Sequence, residues 1–181
     1  MDLVSEGIDH VEARGVVTRD GRLHELDVLV LATGFDTHAW GIDRAVGEDG
    51  RSLKEAWAQG TRAYRSVAVS GFPNFFMLVG PNSPIGNISL IDVSEVQVDY
   101  IMQCIQLLRK GKVRALAPTM EATRAFHERL LEAMKDTVWV TGCNSWYLDA
   151  DGVPNTWPWT ARRFHQAMRR PKLADFELHR T

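Results

Sequence analysis

The alternation of apolar and polar residues in the first 35 positions predicts strands. Residues 8–18 mix β-branched and polar side chains, and the Asp20-Gly21 pair after them is typical of a tight hairpin turn. Residues 28–32 are a continuous run of valine, leucine and alanine that stops at Thr33-Gly34. Such a run favours a strand buried on both faces of a parallel or mixed sheet. We therefore expect a hairpin followed by a central strand.

The rest of the chain predicts one further strand and several helices. A short helix is expected at residues 53–59, and the apolar run at 75–79, which lies between two turn sequences, predicts a second buried strand. Another helix is expected at residues 120–135, and a last short one at 161–168. Residues 138–160 combine aromatic residues with Gly and Asp, which favours loops.

The longest predicted helix covers residues 92–110, where apolar residues recur at helical spacing. Asp92 or Ser94 can cap its start, because a side-chain oxygen can accept a hydrogen bond from the free N–H groups of a first turn. Gly111 can end it, since glycine readily adopts the left-handed backbone found after many helices.

Composition excludes several classes of function. The 181 residues are 45% hydrophobic and 24% charged with a net charge of −2, so the chain can bury a core and has no basic excess for nucleic acid. Its apolar runs are far shorter than the roughly 20 residues that a membrane span needs, and its first residues do not resemble a signal peptide. The two cysteines, Cys104 and Cys143, form no CxxC pair, which favours a reducing cytoplasm.

Candidate chemistry lies where the two predicted strands end in glycine. The first junction is Ala32-Thr33-Gly34-Phe35, and the second is Gly80-Pro-Asn-Ser-Pro84. A glycine lets the backbone turn sharply and approach a ligand, and ligands of open α/β sheets bind at the carboxyl ends of strands. The residues alone leave alternatives open. An apolar strand followed by glycine is commonplace, and the second junction is equally compatible with a proline-stiffened turn.

The order of several motifs resembles that of the class B flavin-dependent monooxygenases, which include Baeyer–Villiger and flavin-containing monooxygenases. Each motif is weak by itself, but their ordered combination is specific. The matching motifs are Asp27 with Ala32-Thr33-Gly34-Phe35, Lys54-Glu55-x-Trp57, Arg62-x-Tyr64, Gly71-Phe-Pro-Asn-Phe-Phe76, Gly80-Pro-x-Ser-Pro84 and Ser145-Trp-Tyr147. The resemblance covers about residues 8–165 in the same order as in the family.

The resemblance implies an α/β fold, namely the C-terminal part of a flavoprotein with two dinucleotide-binding domains. Residues 1–35 would be a hairpin and return strand with the hinge motif, 36–115 a portion of the FAD domain, and 116–181 a helix with a Trp-rich C-terminal segment. The implied cofactors are FAD and NADPH. The implied reaction inserts one oxygen of O₂ into a ketone, as in Baeyer–Villiger oxidation, or oxidises a heteroatom.

The resemblance also implies roles for individual residues, none of them catalytic and none a metal ligand. The residues expected along the flavin ring are Gly80, Pro81, Asn82, Ser83, Pro84 and Leu90. Thr33 and Gly34 would lie at the domain hinge, and Trp146 would belong to a loop over the nicotinamide cofactor and the substrate. Baeyer–Villiger enzymes often have glycine at the position of Asn82, so this chain departs from the family there.

Neither of the family's two Gly-x-Gly-x-x-Gly loops occurs in the sequence. Such a turn is the usual grip on a dinucleotide pyrophosphate. We therefore expect the chain to be a fragment that is inactive alone. Strands without their neighbours expose edges and apolar surface, which predicts self-association or a companion chain that carries the N-terminal dinucleotide-binding halves.

The six tryptophans have two interpretations. We interpret Trp139, Trp157 and Trp159 as core packing, because aromatic side chains bury large areas. The alternative is a non-enzymatic Trp-rich binding module, which requires Trp157 and Trp159 to be exposed on one face.

Overall fold

The computed structural model of the chain describes residues 2–33, 44–86, 88–111, 113–140, 147–148 and 153–180. The chain divides into two compact units, Met1–Asp36 and Thr37–Thr181, which are described separately. The fold class is α/β, as predicted, with small antiparallel sheets and helices. None of the helices in these ranges combines the length and the apolar character that crossing a membrane requires.

The first unit contains a three-stranded antiparallel sheet with the order β1-β2-β3. The strands are β1 at Ile8–Glu12, β2 at Gly15–Thr18 and β3 at Leu23–Glu25. The turn between β2 and β3 lies at Asp20-Gly21, as predicted, and Gly21 has a φ of 81°. Hydrogen bonds from the Thr18 hydroxyl and the Arg22 backbone N–H lower the pKa of the Asp20 carboxyl.

The predicted central strand at residues 28–32 is wrong. Among the described residues this run pairs with no strand, and Val28, Val30 and Leu31 are 75%, 78% and 78% exposed. A strand is held by ladder hydrogen bonds to its neighbours, and the described part of the chain places no neighbour beside this run. The apolar run is therefore an uncovered surface rather than a buried strand.

The described part of the second unit contains four α-helices at the predicted places. They are α1 at Leu53–Ala56, α2 at Leu90–Arg109, α3 at Met120–Met134 and α4 at Ala161–Met168. Side-chain caps start three of them, including α4, where the Thr160 hydroxyl accepts from Arg163 N. The Ser52 hydroxyl accepts from Glu55 N at the start of α1, and the Thr119 hydroxyl accepts from Ala122 N at the start of α3.

The start of α2 differs from the prediction. Its N-cap is Ser89, which makes no side-chain capping hydrogen bond. Ser94 lies inside the helix and donates to Leu90 O at 2.7 Å, while Asp92 lies 2.9 Å from His165 Nε2. Both predicted caps are therefore wrong, because their side chains bond elsewhere. The predicted end is confirmed, since Gly111 follows the helix with a φ of 71°.

A two-stranded antiparallel sheet joins distant parts of the second unit. Strand β4, Ala115–Pro118, pairs with β5, Phe176–His179, from Ala115 opposite His179 to Pro118 opposite Phe176. The sequence does not predict this pair, because each strand has four residues and β4 ends in a proline, which is tolerated only at an edge of a sheet.

The second predicted strand, at residues 75–79, is also wrong. Phe76 forms one isolated bridge with Ala68, and Val79 has a φ of 51°. A β-branched residue at positive φ cannot continue an extended strand. Residues 75–79 are instead an irregular approach to the second glycine junction.

The core of the second unit lies between α2, α3, α4 and the segment before α4. It includes Tyr100, Cys104, Phe126, Leu130, Trp157 and Phe164. Trp157 is 2% exposed, and its ring centroid lies 4.8 Å from that of Trp159. Trp139 and Trp159 pack partly buried against the same cluster. The packing interpretation is confirmed, and the exposed Trp-rich binding module is wrong because the Trp157 ring is a core element.

Cys104 is 0% exposed in this core, and burial raises the pKa of its thiol to about 12. The thiolate is the reactive form of cysteine, so the thiol stays protonated and unreactive well above neutral pH. We expect iodoacetamide at pH 8 to leave Cys104 unmodified in the folded chain and to alkylate it after unfolding in urea. Peptide mass spectrometry would measure both, and rapid alkylation of the native chain would contradict the buried thiol.

Candidate functional site

The second glycine junction forms a buried loop that leads into α2. We call residues 80–84 the junction loop. Its members Gly80, Pro81, Asn82, Ser83 and Pro84 are all buried. Leu90, the first residue of α2, is 48% exposed. The residues that the sequence predicts beside a flavin ring thus lie in one stretch, where the loop is packed against protein and Leu90 faces solvent.

The backbone of the junction loop is strained and closely packed. Val79 and Asn82 have φ values of 51° and 62°, and Arg65 and Ser66 have values of 50° and 67°. A Cβ atom on Gly80 would lie 2.2 Å from the backbone oxygen of Ser66, so the two strained segments are in contact there and only glycine fits. Strained backbone persists only where the surroundings enforce it, and it concentrates at functional sites.

One buried side chain of α2 holds the junction loop at two points. Gln97 is 0% exposed. Its Oε1 accepts from Val79 N at 2.7 Å, and its Nε2 donates to Ser83 Oγ at 3.1 Å. These residues flank Gly80, so the amide of Gln97 spans the turn and enforces the strained conformation.

The segment before α4 holds the opposite side of the loop. Asn155 Oδ1 accepts from Asn82 N at 2.7 Å, and Thr156, which is 0% exposed, donates its hydroxyl to Ile85 O at 3.3 Å. Asn155 N in turn donates to Tyr147 O at 2.7 Å. The loop is therefore clamped between α2 and the C-terminal segment.

The polar groups around the loop are amides, hydroxyls and backbone groups. Two of them, Asn82 Oδ1 and Ser66 Oγ, are buried without a hydrogen-bond partner among the described residues. A buried unsatisfied group costs about 1–3 kcal/mol, so the arrangement is maintained against an energetic penalty. Because none of these groups is ionisable, their contacts fix the shape of the loop and do not move protons.

Two aromatic residues of the motifs before the loop have structural contacts. The Trp57 indole is buried and donates to Arg62 O at 2.9 Å. Tyr64 is 1% exposed and donates its hydroxyl to Asp175 Oδ2 at 2.5 Å. Burial opposes ionisation of Asp175, but the hydrogen bond from Tyr64 and the ammonium of Lys172 lower its pKa. Within the second unit, the Tyr64 hydrogen bond ties the segment before the loop to the residue that precedes β5.

The other predicted site residues are not brought together by the described structure. Thr33 is exposed at the end of the described part of the first unit. Gly34 and Trp146 lie outside the described residues. Proximity between the two glycine junctions stays a prediction.

Reasoning from the sequence missed three residues that hold the junction loop, namely Gln97, Asn155 and Thr156. Gln97 could have been found, since it is a polar residue on the buried face of α2 between Val93 and Tyr100. Asn155 and Thr156 could not have been found in this way. They lie in an irregular segment without a periodic pattern, and they contact residues more than 70 positions earlier in the chain.

Comparison with known proteins finds monooxygenases among the relatives of this chain. The chain is 49% identical over 169 residues to an uncharacterized monooxygenase of Mycobacterium bovis, covering 93% of this chain and 34% of the relative. It is 41% identical over 184 residues to a Baeyer–Villiger monooxygenase of Streptomyces coelicolor, covering 99% of this chain and 36% of that protein. The chain is homologous to part of the flavin-dependent Baeyer–Villiger monooxygenases. No protein-family model matches it.

Solved structures of such monooxygenases share the fold. An oxidized steroid monooxygenase bound to NADP superimposes with a TM-score of 0.82 at 32% identity, over 100% of this chain and 35% of that one. Other relatives are named FAD-binding monooxygenases, and other structures are of cyclohexanone monooxygenase. The chain spans about a third of the length of these Baeyer–Villiger relatives, which fits the predicted C-terminal portion.

Proposed function

We propose that this chain supplies the flavin-ring wall, the hinge and the lid of an NADPH- and FAD-dependent monooxygenase. The complete enzyme would insert one oxygen of O₂ into a small-molecule ketone or oxidise a heteroatom. The observation that carries the proposal is the junction loop, which has a positive φ at Asn82, follows a positive φ at Val79, and is held by Gln97 and Asn155. The match to Baeyer–Villiger relatives supports the same conclusion.

Leu90 supports contact with one side of the cofactor, because it is an exposed apolar side chain at the start of α2. The junction loop is buried within the second unit and would fix the position of that side chain from behind, so its own contact with the ring stays a prediction. No glycine-rich dinucleotide turn occurs in the sequence to hold the pyrophosphate. The bound flavin would supply the redox chemistry with O₂. The chain's own groups would position the ring and exclude water, with Thr33 and Gly34 at the hinge and Trp146 on the lid.

The proposal includes a companion polypeptide or a second copy of the chain. Its support is the exposed apolar run at residues 28–31 in the first unit and the exposed Leu90 and Ile91 at the start of α2 in the second. Exposed apolar patches mark interaction surfaces. We also propose a cytoplasmic location, supported by a sequence with two cysteines that form no CxxC pair. The predicted divisions at residues 35 and 115 remain part of the proposal.

A chimera tests the function directly. This chain would replace the matching third of the Streptomyces coelicolor Baeyer–Villiger monooxygenase. We expect the chimera to retain FAD on purification and to consume NADPH with a cyclic ketone, whereas the isolated chain with added FAD should not exceed a protein-free control. Product analysis would separate lactone formation from heteroatom oxidation. A folded chimera that retains no flavin, or turnover by the isolated chain, would refute the proposal.

A further inference from the structure

A cluster of three possible metal ligands lies in the second unit, away from the junction loop. Glu48, Glu177 and His179 each place one carboxylate oxygen or imidazole nitrogen so that the three atoms lie within 4.8 Å of one another. Glu177 and His179 come from β5, and Glu48 comes from the loop before α1. The cluster thus joins two segments that are far apart in the chain.

Strand geometry presents the two β5 ligands on one face. Residues two apart in a strand point to the same side, so Glu177 and His179 share a face of the β4–β5 sheet. Their partners across the sheet are Ala117 and Ala115. These small side chains leave the longer carboxylate and imidazole free to converge above the strand.

The loop that carries Glu48 is held in position by its backbone. Glu48 N donates to Gly71 O at 3.1 Å, and Gly47 N donates to Arg51 O at 2.8 Å. A Cβ atom on Gly47 would lie 2.7 Å from Gly71 O, so the close approach requires glycine. The Glu48 side chain therefore projects from a preorganised turn.

Among the described residues, the carboxylates of this cluster have no permanently charged partner: Glu48 pairs with His179 at 3.7 Å, and His179 is charged only when protonated. Among the described residues neither Glu48 nor Glu177 has a Lys or Arg partner within 4.0 Å. Two carboxylates this close repel each other unless a positive charge lies between them.

The imidazole nitrogen has no hydrogen-bond partner among the described residues. His179 Nε2 is itself inaccessible to solvent, although the His179 side chain as a whole is 30% exposed. It lies 3.7 Å from Glu48 Oε2, which is too long for a hydrogen bond. Two ligands of one tetrahedral Zn²⁺ are separated by roughly 3.4 Å, as bonds of about 2.0–2.2 Å require.

We propose that Glu48, Glu177 and His179 bind a divalent transition metal, with Zn²⁺ as the expected ion. An imidazole with two carboxylates suits Zn²⁺, whereas Ca²⁺ and Mg²⁺ prefer ligand sets made of oxygen alone. Both carboxylates are exposed, so water would fill the remaining coordination position. The ion would fasten β5 to the loop before α1. This site is independent of the proposed monooxygenase function.

Isothermal titration calorimetry of the full chain with ZnCl₂ in a chelator-free buffer tests the site. We expect saturable binding of one Zn²⁺ per chain and an increase in melting temperature that EDTA reverses. His179→Ala and Glu48→Gln should each weaken Zn²⁺ binding at least about tenfold, the loss reported even for residues that only orient a ligand. His165→Ala is the matched control, because its imidazole pairs with Asp92 on α2 and should not affect binding.

If His179→Ala does not fold, Glu48→Gln still tests the site. It replaces one exposed carboxylate with an amide of the same size, so we expect the chain to stay folded. Equal binding of Ca²⁺ or Mg²⁺ would overturn the assignment to a transition metal. Absence of Zn²⁺ binding at millimolar concentration would overturn the site. Zn²⁺ binding unchanged by Glu48→Gln would also overturn it, since the ion would then bind elsewhere on the chain.

Discussion

Replacing Gln97 with leucine is expected to lower the free energy of unfolding of the second unit by about 2–4 kcal/mol. The substitution removes the acceptor for Val79 N and the donor to Ser83 Oγ while keeping a side chain of similar volume. Two buried polar groups would lose their partner, and each such loss costs about 1–3 kcal/mol. Urea denaturation followed by tryptophan fluorescence would measure the change.

Gln106→Leu is the matched control, because Gln106 lies on the same helix but is exposed. A surface substitution of this kind should change the free energy of unfolding by less than about 0.5 kcal/mol. Amide hydrogen exchange adds a local readout, since Val79 N–H should exchange much faster once its acceptor is gone. Equal stability and equal protection in the Gln97 and Gln106 variants would mean that the amide of Gln97 does not hold the junction loop.

The hydrogen bond from Val79 N to Gln97 also explains why residues 75–79 form an irregular segment and not a strand. The apolar run before Gly80 has the composition of a buried strand, but α2 captures Val79 N through Gln97 and the Ser66 backbone lies against Gly80. Tertiary contacts therefore override the local strand preference. The apolar pattern at residues 75–79 indicates only a local preference for a strand. It cannot predict that a distant side chain, Gln97, accepts a hydrogen bond from Val79 N.

Helices were predictable where the residues that specify them, such as an N-cap and regularly spaced apolar positions, lie in the helix segment or directly before it. The α3 helix carries its start signal at Thr119, and its buried residues Phe126, Leu130 and Met134 recur at helical spacing. The α2 caps were mispredicted because Asp92 and Ser94 bond to groups that the sequence does not place nearby. Local periodicity thus predicts an element's existence better than its ends.

The exposed run at residues 28–32 was mispredicted for a different reason. Its apolar character implies burial, but burial depends on neighbouring strands that the described part of the chain does not provide. In the candidate site, too, some residues were indicated by the sequence and others depended on the fold. The motif order led to the junction loop from the sequence alone, whereas Asn155 and Thr156 became visible only when the fold placed them against it.

Gly80→Ala is the second substitution with a large expected effect. The new Cβ atom would lie 2.2 Å from Ser66 O and 3.2 Å from Met77 Cβ. Because Ser66 O belongs to the backbone, rotation of a side chain cannot relieve the overlap. We expect a loss of roughly 3 kcal/mol in the free energy of unfolding, at the upper end of overpacking by one methyl group. Thermal denaturation followed by circular dichroism would measure this loss.

Gly111→Ala is the control for Gly80→Ala. It measures the cost of placing alanine at a backbone conformation that favours glycine, without a steric overlap. Gly111 has a φ of 71° with open space around its Cβ position, so alanine there should cost only about 1–2 kcal/mol from the left-handed backbone. A loss for Gly80→Ala no greater than that for Gly111→Ala would contradict the close approach of the two strained segments. A greater loss would support a junction loop whose shape depends on direct backbone contact, as a rigid wall beside a flat ligand requires.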